Sequence, residues 1–84
     1  MNREKAIVIF EITKKKQIHD IEIPLSISAN DLVVALNSAY ELGIDVSNIK
    51  NCYLKSERPI ALLKGNKLLK DFGIRNGTII YFDK

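Results

Sequence analysis

Only one segment of the sequence has helical apolar spacing, and the remaining apolar runs are short and strand-like. Between residue 29 and about residue 42, apolar positions recur at helical intervals, at Leu32, Leu36 and Ala39, with Val33 and Tyr40 beside them. Ser28 is placed to cap the start of this helix, and Gly43 is placed at its C′ position, where a positive φ carries no Cβ clash. A single amphipathic helix cannot bury its apolar stripe alone, so it must lie across one face of a sheet.

Short runs rich in β-branched or aromatic residues surround the helix and predict strands. They cover residues 6–13, 18–23, 51–56, 60–63 and 78–82. The first two runs form a hairpin, and Pro24 ends its second strand because proline has no backbone donor. The first and last runs have the densest apolar character, so we expect them to pair at the centre of the sheet. The predicted class is α+β, in the β-grasp arrangement of a mixed sheet of four to five strands with one helix packed across one face. Composition alone leaves other α+β sandwiches open.

Length and charge limit the classes of partner. The 84 residues suit one domain, 1–84. Thirteen basic and ten acidic residues give a formal net charge of +3, with the two signs interspersed. A nucleic-acid-binding domain concentrates its basic residues on one face, so this balance argues against nucleic acid as the partner. No apolar stretch is long enough to span a bilayer, and the N-terminus lacks a signal-peptide pattern, so we expect a soluble cytoplasmic protein.

The residues that commonly carry chemistry are isolated in this sequence. Cys52 is the only cysteine, which permits no internal disulfide, and its place in a predicted strand favours a packed thiol over a reactive one. His19 has no Cys, His or carboxylate around it at a spacing that suggests a metal site. No Ser-His-Asp grouping, phosphate-binding glycine loop or paired-carboxylate pattern is present. The sequence therefore predicts no enzyme activity, no cofactor and no metal site.

Alternation along the first and last strands predicts an apolar surface opposite the helix. The side chains assigned to the core are Val8, Phe10, Ile12, Ile80 and Phe82. Because successive side chains of a strand point to opposite faces, the outward set on these two strands is Ile7, Ile9, Ile79 and Tyr81. Contiguous exposed apolar patches often mark interaction surfaces, so these four residues are the candidate partner-binding surface. The alternatives are that a loop covers them, or that they only raise β-propensity.

A basic run, Lys14, Lys15 and Lys16, falls on the turn of the predicted hairpin. The simplest interpretation is a solvated charged turn. The functional alternative is electrostatic contact with an acidic partner or an anionic membrane surface, worth up to ~1 kcal/mol per lysine near the surface. Three lysines are too few for stable anchoring, so we expect no stable membrane insertion.

Residues 69–80, LKDFGIRNGTII, resemble the closing segment of ubiquitin-like domains. Across residues 6–82, the chain is similar to the YukD/EsaB-type ubiquitin-like proteins of bacterial type VII secretion systems. The shared features are the apolar first strand, the lysine-bearing hairpin, Ile23-Pro24 before the helix, and the run from Gly73 to Gly77. The resemblance implies a ubiquitin-like fold. It also implies a cytoplasmic accessory protein that is not conjugated and whose partners are other proteins of the secretion machine.

Conjugation and sulfur-carrier chemistry need a flexible tail that ends in Gly-Gly, whose carboxylate is activated as an adenylate. Here the sequence closes with Tyr81-Phe82-Asp83-Lys84, of which Tyr81 and Phe82 belong to the last predicted strand, and the last glycine is Gly77 in the preceding turn. We therefore expect no such chemistry, and a modifier or sulfur carrier is the disfavoured alternative. Another alternative is a ubiquitin-like domain from a larger membrane component of the secretion system. An outward apolar sheet face also allows a homodimer.

Overall fold

The computed structural model describes residues 4–84, which form a five-stranded mixed sheet with one helix across it. The strands are β1 (Lys5–Ile12), β2 (Gln17–Pro24), β3 (Leu54–Glu57), β4 (Ala61–Leu63) and β5 (Ile79–Phe82). Helix α1 spans Ala29–Tyr40, and a short 3₁₀ helix spans Leu69–Phe72. The strand order in the sheet is β2-β1-β5-β3-β4. Across residues 4–84, no helix has both the length and the apolarity needed to cross a bilayer.

The first and last strands are neighbours, as the sequence predicts. β1 and β5 run parallel, with Ile9 opposite Ile79 and Phe10 opposite Ile80. β2 pairs antiparallel with β1, β3 pairs antiparallel with β5, and β4 pairs antiparallel with β3. A parallel pair requires a long crossover connection, and here the crossover carries α1 over one face of the sheet. The predicted arrangement of a mixed sheet with one helix across it is confirmed.

The core lies between α1 and the sheet face beneath it. From the sheet, Val8, Phe10 and Ile80 are fully buried. From the helix, the buried residues are Ala29, Leu32, Val33 and Leu36. Phe82, which we predict to face the core, is half-buried and packs against it at the end of β5. Each large apolar side chain buried in this layer stabilises the fold by about 1.5–3 kcal/mol.

The start of α1 is tied to the loop that follows β4. The Ser28 hydroxyl accepts a hydrogen bond from the backbone N–H of Asp31 at 3.0 Å, as the capping pattern predicts. The N–H groups of Ala29 and Asn30 donate to backbone carbonyls within residues 65–67, both at 2.9 Å. The backbone N–H groups of the first turn, which have no partner within the helix, therefore form hydrogen bonds to other parts of the domain.

Helix α1 ends earlier than its apolar spacing predicts. The left-handed residue at its end is Glu41, with a φ of 53°, and not Gly43. The side chain of Asn37 explains the difference. Its carbonyl accepts from the Ile44 N–H at 2.9 Å, and its amide donates to the Ile44 carbonyl at 3.1 Å, which turns the chain back beside the helix. Gly43 has its own positive φ of 76° within this turn.

Three strands begin later than predicted, and for β5 the difference is a single residue, Ile79 in place of Thr78. β3 begins at Leu54, because residues 48–51 form a turn closed on Asn48. The backbone carbonyl of Asn48 accepts from the Cys52 N–H at 3.1 Å. β4 begins at Ala61, because the preceding residues still belong to the turn after β3.

Candidate functional site

The four residues of the predicted apolar patch lie on the sheet face that α1 leaves free, which we call the outer face. Ile9 and Ile79 are direct cross-strand partners. Ile7 precedes Ile9 on β1 and Tyr81 follows Ile79 on β5, so these two lie at opposite ends of the patch because the strands are parallel. Ile7 is 56% exposed, and the other three side chains are half-buried. The structure therefore brings the four residues together as alternation predicts.

Sheet register places two further large apolar side chains on the outer face. Glu11 lies opposite Ile18 on β2 and opposite Tyr81 on β5. Tyr81 in turn lies opposite Lys55, and Lys55 lies opposite Leu62. One row therefore crosses all five strands and contains Ile18, which is 67% exposed, and Leu62, which is 47% exposed. Alternation along β2 alone could have identified Ile18, whereas Leu62 depends on a β3–β4 register that no sequence pattern reveals.

Charged and aromatic groups border this row on the β3 side. The Lys55 ammonium lies 3.1 Å from the Asp83 carboxylate. The hydrogen bond to Asp83, followed by the attraction of its charge, raises the pKa of Lys55 above its ordinary value. The Lys84 ammonium lies 4.1 Å from the centroid of the Tyr53 ring, in a cation–π contact. Lys55 itself lies in the row between Tyr81 and Leu62, and Glu11 lies between Ile18 and Tyr81. The apolar row, which consists of Ile18, Tyr81 and Leu62, is thus interrupted by charged residues and flanked on the β3 side by oriented polar groups.

The three hairpin lysines are exposed in the turn between β1 and β2, but they have different surroundings. The Lys15 ammonium donates to the backbone carbonyl of Tyr40 at 3.4 Å. The last turn of α1 has no basic residue of its own, so Lys15 supplies the positive charge that a helix C-terminus favours. Lys14 borders an open cleft that is also lined by Ile44, Phe82 and Lys84. The structure therefore does not present the three lysines as one free cluster.

His19 and Cys52 are both engaged inside the fold. The His19 ring lies 4.9 Å from the Tyr40 ring, measured between centroids. Cys52 is 4% exposed, and its thiol donates to the Asn30 side-chain oxygen at 3.2 Å. In the part of the chain that the structure describes, no three His, Cys, Asp or Glu residues group as metal ligands do.

Solved structures with the same fold are ubiquitin-like domains. A ubiquitin-like domain from tubulin-binding cofactor B superposes with a TM-score of 0.74 at 21% identity, over 95% of this chain and 89% of that one. The C-terminal ubiquitin-like domain of mouse tubulin-specific chaperone e gives a TM-score of 0.69 at 15% identity, over 96% and 87% of the two chains. The UBL domain of Plasmodium falciparum Dsk2 gives a TM-score of 0.60 at 19% identity, over 93% and 97%.

At these identities the likeness establishes the fold alone. The chain has a ubiquitin-like β-grasp fold, and the predicted fold class is confirmed. No family model and no curated protein matches the sequence.

Proposed function

We propose that this chain is a ubiquitin-like protein-interaction module that binds another protein through its outer face. The observation that supports the proposal most directly is the row of Ile18, Tyr81 and Leu62 across the sheet, adjoining the patch that contains Ile7. Removing such side chains from water contributes about 25 cal/mol per Å² of apolar surface. A partner that covers the row and the adjoining patch would gain this free energy, and the patch of Ile7, Ile9, Ile79 and Tyr81 is the contiguous apolar part of the surface.

The partner we propose is a protein component of a bacterial type VII secretion system, which the chain would serve as a cytoplasmic accessory protein. Two findings support this choice. The sequence resembles that family over residues 6–82, and the fold is the ubiquitin-like fold that the resemblance implies. The ion pair between Lys55 and Asp83 would orient the partner on the outer face.

A ubiquitin-like domain within a larger protein is the second candidate. The observation that favours it is that the three solved structures described above are ubiquitin-like domains of named proteins. The outer face would play the same part in either case. The two candidates differ in whether the module is tethered to further domains, and the membrane component of the secretion system is the larger protein we consider first.

We propose that the module acts without catalysis and without conjugation. Gly77, which precedes β5, lies in a turn where its N–H donates to the Ile7 carbonyl at 3.0 Å. A glycine held in this position cannot offer a terminal carboxylate to an activating enzyme. Mass spectrometry of the protein from cells should show no covalent adduct and no thiocarboxylate, and either product would overturn this part of the proposal.

The test of the outer face is binding to purified secretion components encoded beside the gene, with Ile7→Asp and Tyr81→Asp as the variants. Ile49→Asp is the matched control, because Ile49 is 78% exposed and lies in the α1–β3 connection beside Val46 and Lys64. We expect about tenfold weaker binding for each outer-face variant, as for interface residues that contribute 1–2 kcal/mol, and no change for the control.

Circular dichroism and thermal unfolding establish that the variants are folded. Unchanged binding by folded outer-face variants would remove this surface from the proposal. Failure of the wild-type protein to bind any of the secretion components would remove the secretion assignment.

A further inference from the structure

β2 forms a long open edge of the sheet. It has eight residues, and within residues 4–84 its only strand partner is β1. The two strands pair residue for residue from Lys5 opposite Pro24 to Ile12 opposite Gln17. An edge strand presents unpaired N–H and C=O groups that can pair with another extended chain. The other edge, β4, has only three residues, so β2 is the main site for strand addition.

Of the features that usually protect an edge, β2 has charged side chains, Asp20 and Glu22. It lacks lysine, internal proline and bulges, which also discourage pairing with another chain. The strand reads QIHDIEIP, with no lysine and with its proline, Pro24, at the last position. Ile18 is 67% exposed on the outer face, and Ile21 is half-buried on the helix side. Apolar side chains are therefore accessible on both sides of the edge.

The outer-face side of this edge is acidic. Asp20 and Glu22 are exposed on β2, and Glu11 lies beside them on β1. The Lys5 ammonium lies 3.8 Å from the Glu22 carboxylate, but both side chains are more than half exposed, at 53% and 55%, so the pair is weak. The chain has a net charge of +3, so this acidic edge contrasts with its overall charge.

We propose that the β2 edge binds an extended basic segment of another protein by strand addition. The backbone of the segment would pair with the free N–H and C=O groups of β2. Lysine or arginine at alternate positions of the segment would face Asp20 and Glu22, and the intervening aliphatic residues would contact Ile21 on the helix side. The β2 edge meets the outer-face apolar row at Ile18. The inference rests on the free backbone of β2 and its acidic side chains, and not on the proposed function.

A second copy of the chain fits the same edge poorly. Antiparallel pairing of two β2 strands about a two-fold axis places outer-face residues of one copy opposite outer-face residues of the other. In the registers that overlap most of the strand, Asp20 faces either Asp20 or Glu22 of the second copy. Like charges directly opposite each other destabilise a strand pair, whereas opposite charges stabilise it. The charge pattern therefore favours a basic partner over self-association.

The test uses the whole protein and a synthetic peptide of alternating lysine and valine, titrated while backbone amide chemical shifts are recorded. We expect the largest shift changes along β2. The double variant Asp20→Lys with Glu22→Lys should bind this peptide about tenfold more weakly, because two favourable cross-strand pairs become unfavourable. It should also gain affinity for a matched peptide of alternating glutamate and valine.

The control for charge alone is Glu57→Lys, which reverses one exposed acidic residue on the outer face of β3, three strands away from β2. It should leave the affinity for the lysine-valine peptide unchanged within about twofold. Binding that weakens equally in the control and in the double variant would overturn the proposal, because it would show non-specific charge attraction.

Backbone methylation of the peptide tests strand addition itself. Methylating the alternate amides that face β2 removes donors from the ladder and should abolish binding, whereas methylating the other amides should not. Equal binding by the two peptides, no binding by the unmethylated peptide, or shift changes centred on Tyr81 would each overturn the proposal. Sedimentation of the free protein as a dimer that the double variant dissociates would also overturn it, in favour of a second copy.

Discussion

The side-chain carbonyl of Asn76 accepts a hydrogen bond from the backbone N–H of Ile7 at 2.8 Å, which extends the β1–β5 pairing beyond the start of β5. The next residue, Gly77, donates its own N–H to the Ile7 carbonyl at 3.0 Å. Both backbone groups of Ile7 are therefore bonded to the turn before β5. The same turn thus determines where Ile7 lies on the outer face.

We expect Asn76→Ala to lower the free energy of unfolding by about 1 kcal/mol, the typical net contribution of one hydrogen bond. Urea unfolding measures the change. Asn66→Ala is the control, because Asn66 is exposed in a different turn and should change stability by less than about 0.5 kcal/mol. Equal effects of the two substitutions would show that the Asn76 bond contributes nothing particular to the β1–β5 pair.

A buried hydroxyl joins the turn after β3 to the turn before β5. Thr78 is fully buried, and its hydroxyl donates to the Arg58 carbonyl at 2.8 Å and accepts from the Arg75 N–H at 3.0 Å. We expect Thr78→Val, which preserves the shape, to lower the free energy of unfolding by about 1–3 kcal/mol because both backbone groups lose their partner. Thermal unfolding beside the exposed-site variant Thr13→Val checks this, and equal stability of the two variants would contradict it.

The alternation of apolar residues along the sequence predicts which side chains of a strand share a face. The outward direction of Ile7 and Ile79 follows from the two-residue period of a strand, which needs no knowledge of the tertiary structure. The position of Leu62 on the same face needs the β3–β4 register, and the bond from Lys15 to the end of α1 needs the hairpin to lie close to the helix. Contacts between separate segments decide both, across a short hairpin for Leu62 and between the β1–β2 turn and α1 for Lys15.

Asn37 shows why the end of the helix could not be predicted from apolar spacing. Its side chain makes two hydrogen bonds to the backbone of Ile44 and so competes with continuation of α1. We expect Asn37→Ala to lower the free energy of unfolding by about 1–2 kcal/mol. Asn37→Asp should lower it at least as much, because a carboxylate oxygen would face the Ile44 carbonyl and the negative end of α1. Chemical denaturation of the two variants gives this order, and the reverse order would contradict the assignment.

The ion pair between Lys55 and Asp83 makes a pH-dependent contribution beside the apolar row. Because the pKa of Lys55 is raised in the folded protein, its contribution to stability is complete below the pKa of the unfolded chain. The contribution is lost as the pH rises through the higher folded value. We expect Asp83→Asn to lower the pKa of Lys55 toward its ordinary value, measured by NMR titration of the lysine side chain. An unchanged Lys55 titration would show that the contact does not persist in solution.

Truncation of two adjacent residues on β1 should lower stability by very different amounts, because one side chain points into the core and the other onto the outer face. Val8 is fully buried, whereas Ile7 is 56% exposed. We expect Val8→Ala to lower the free energy of unfolding by about 2 kcal/mol, through lost burial and the cavity it leaves. Ile7→Ala should cost less than about 0.5 kcal/mol, although it removes more atoms. Urea unfolding of the two variants distinguishes these values. A larger loss of unfolding free energy for Ile7→Ala than for Val8→Ala would show that Ile7, and not Val8, points into the core. The candidate binding residues of β1 would then be core residues.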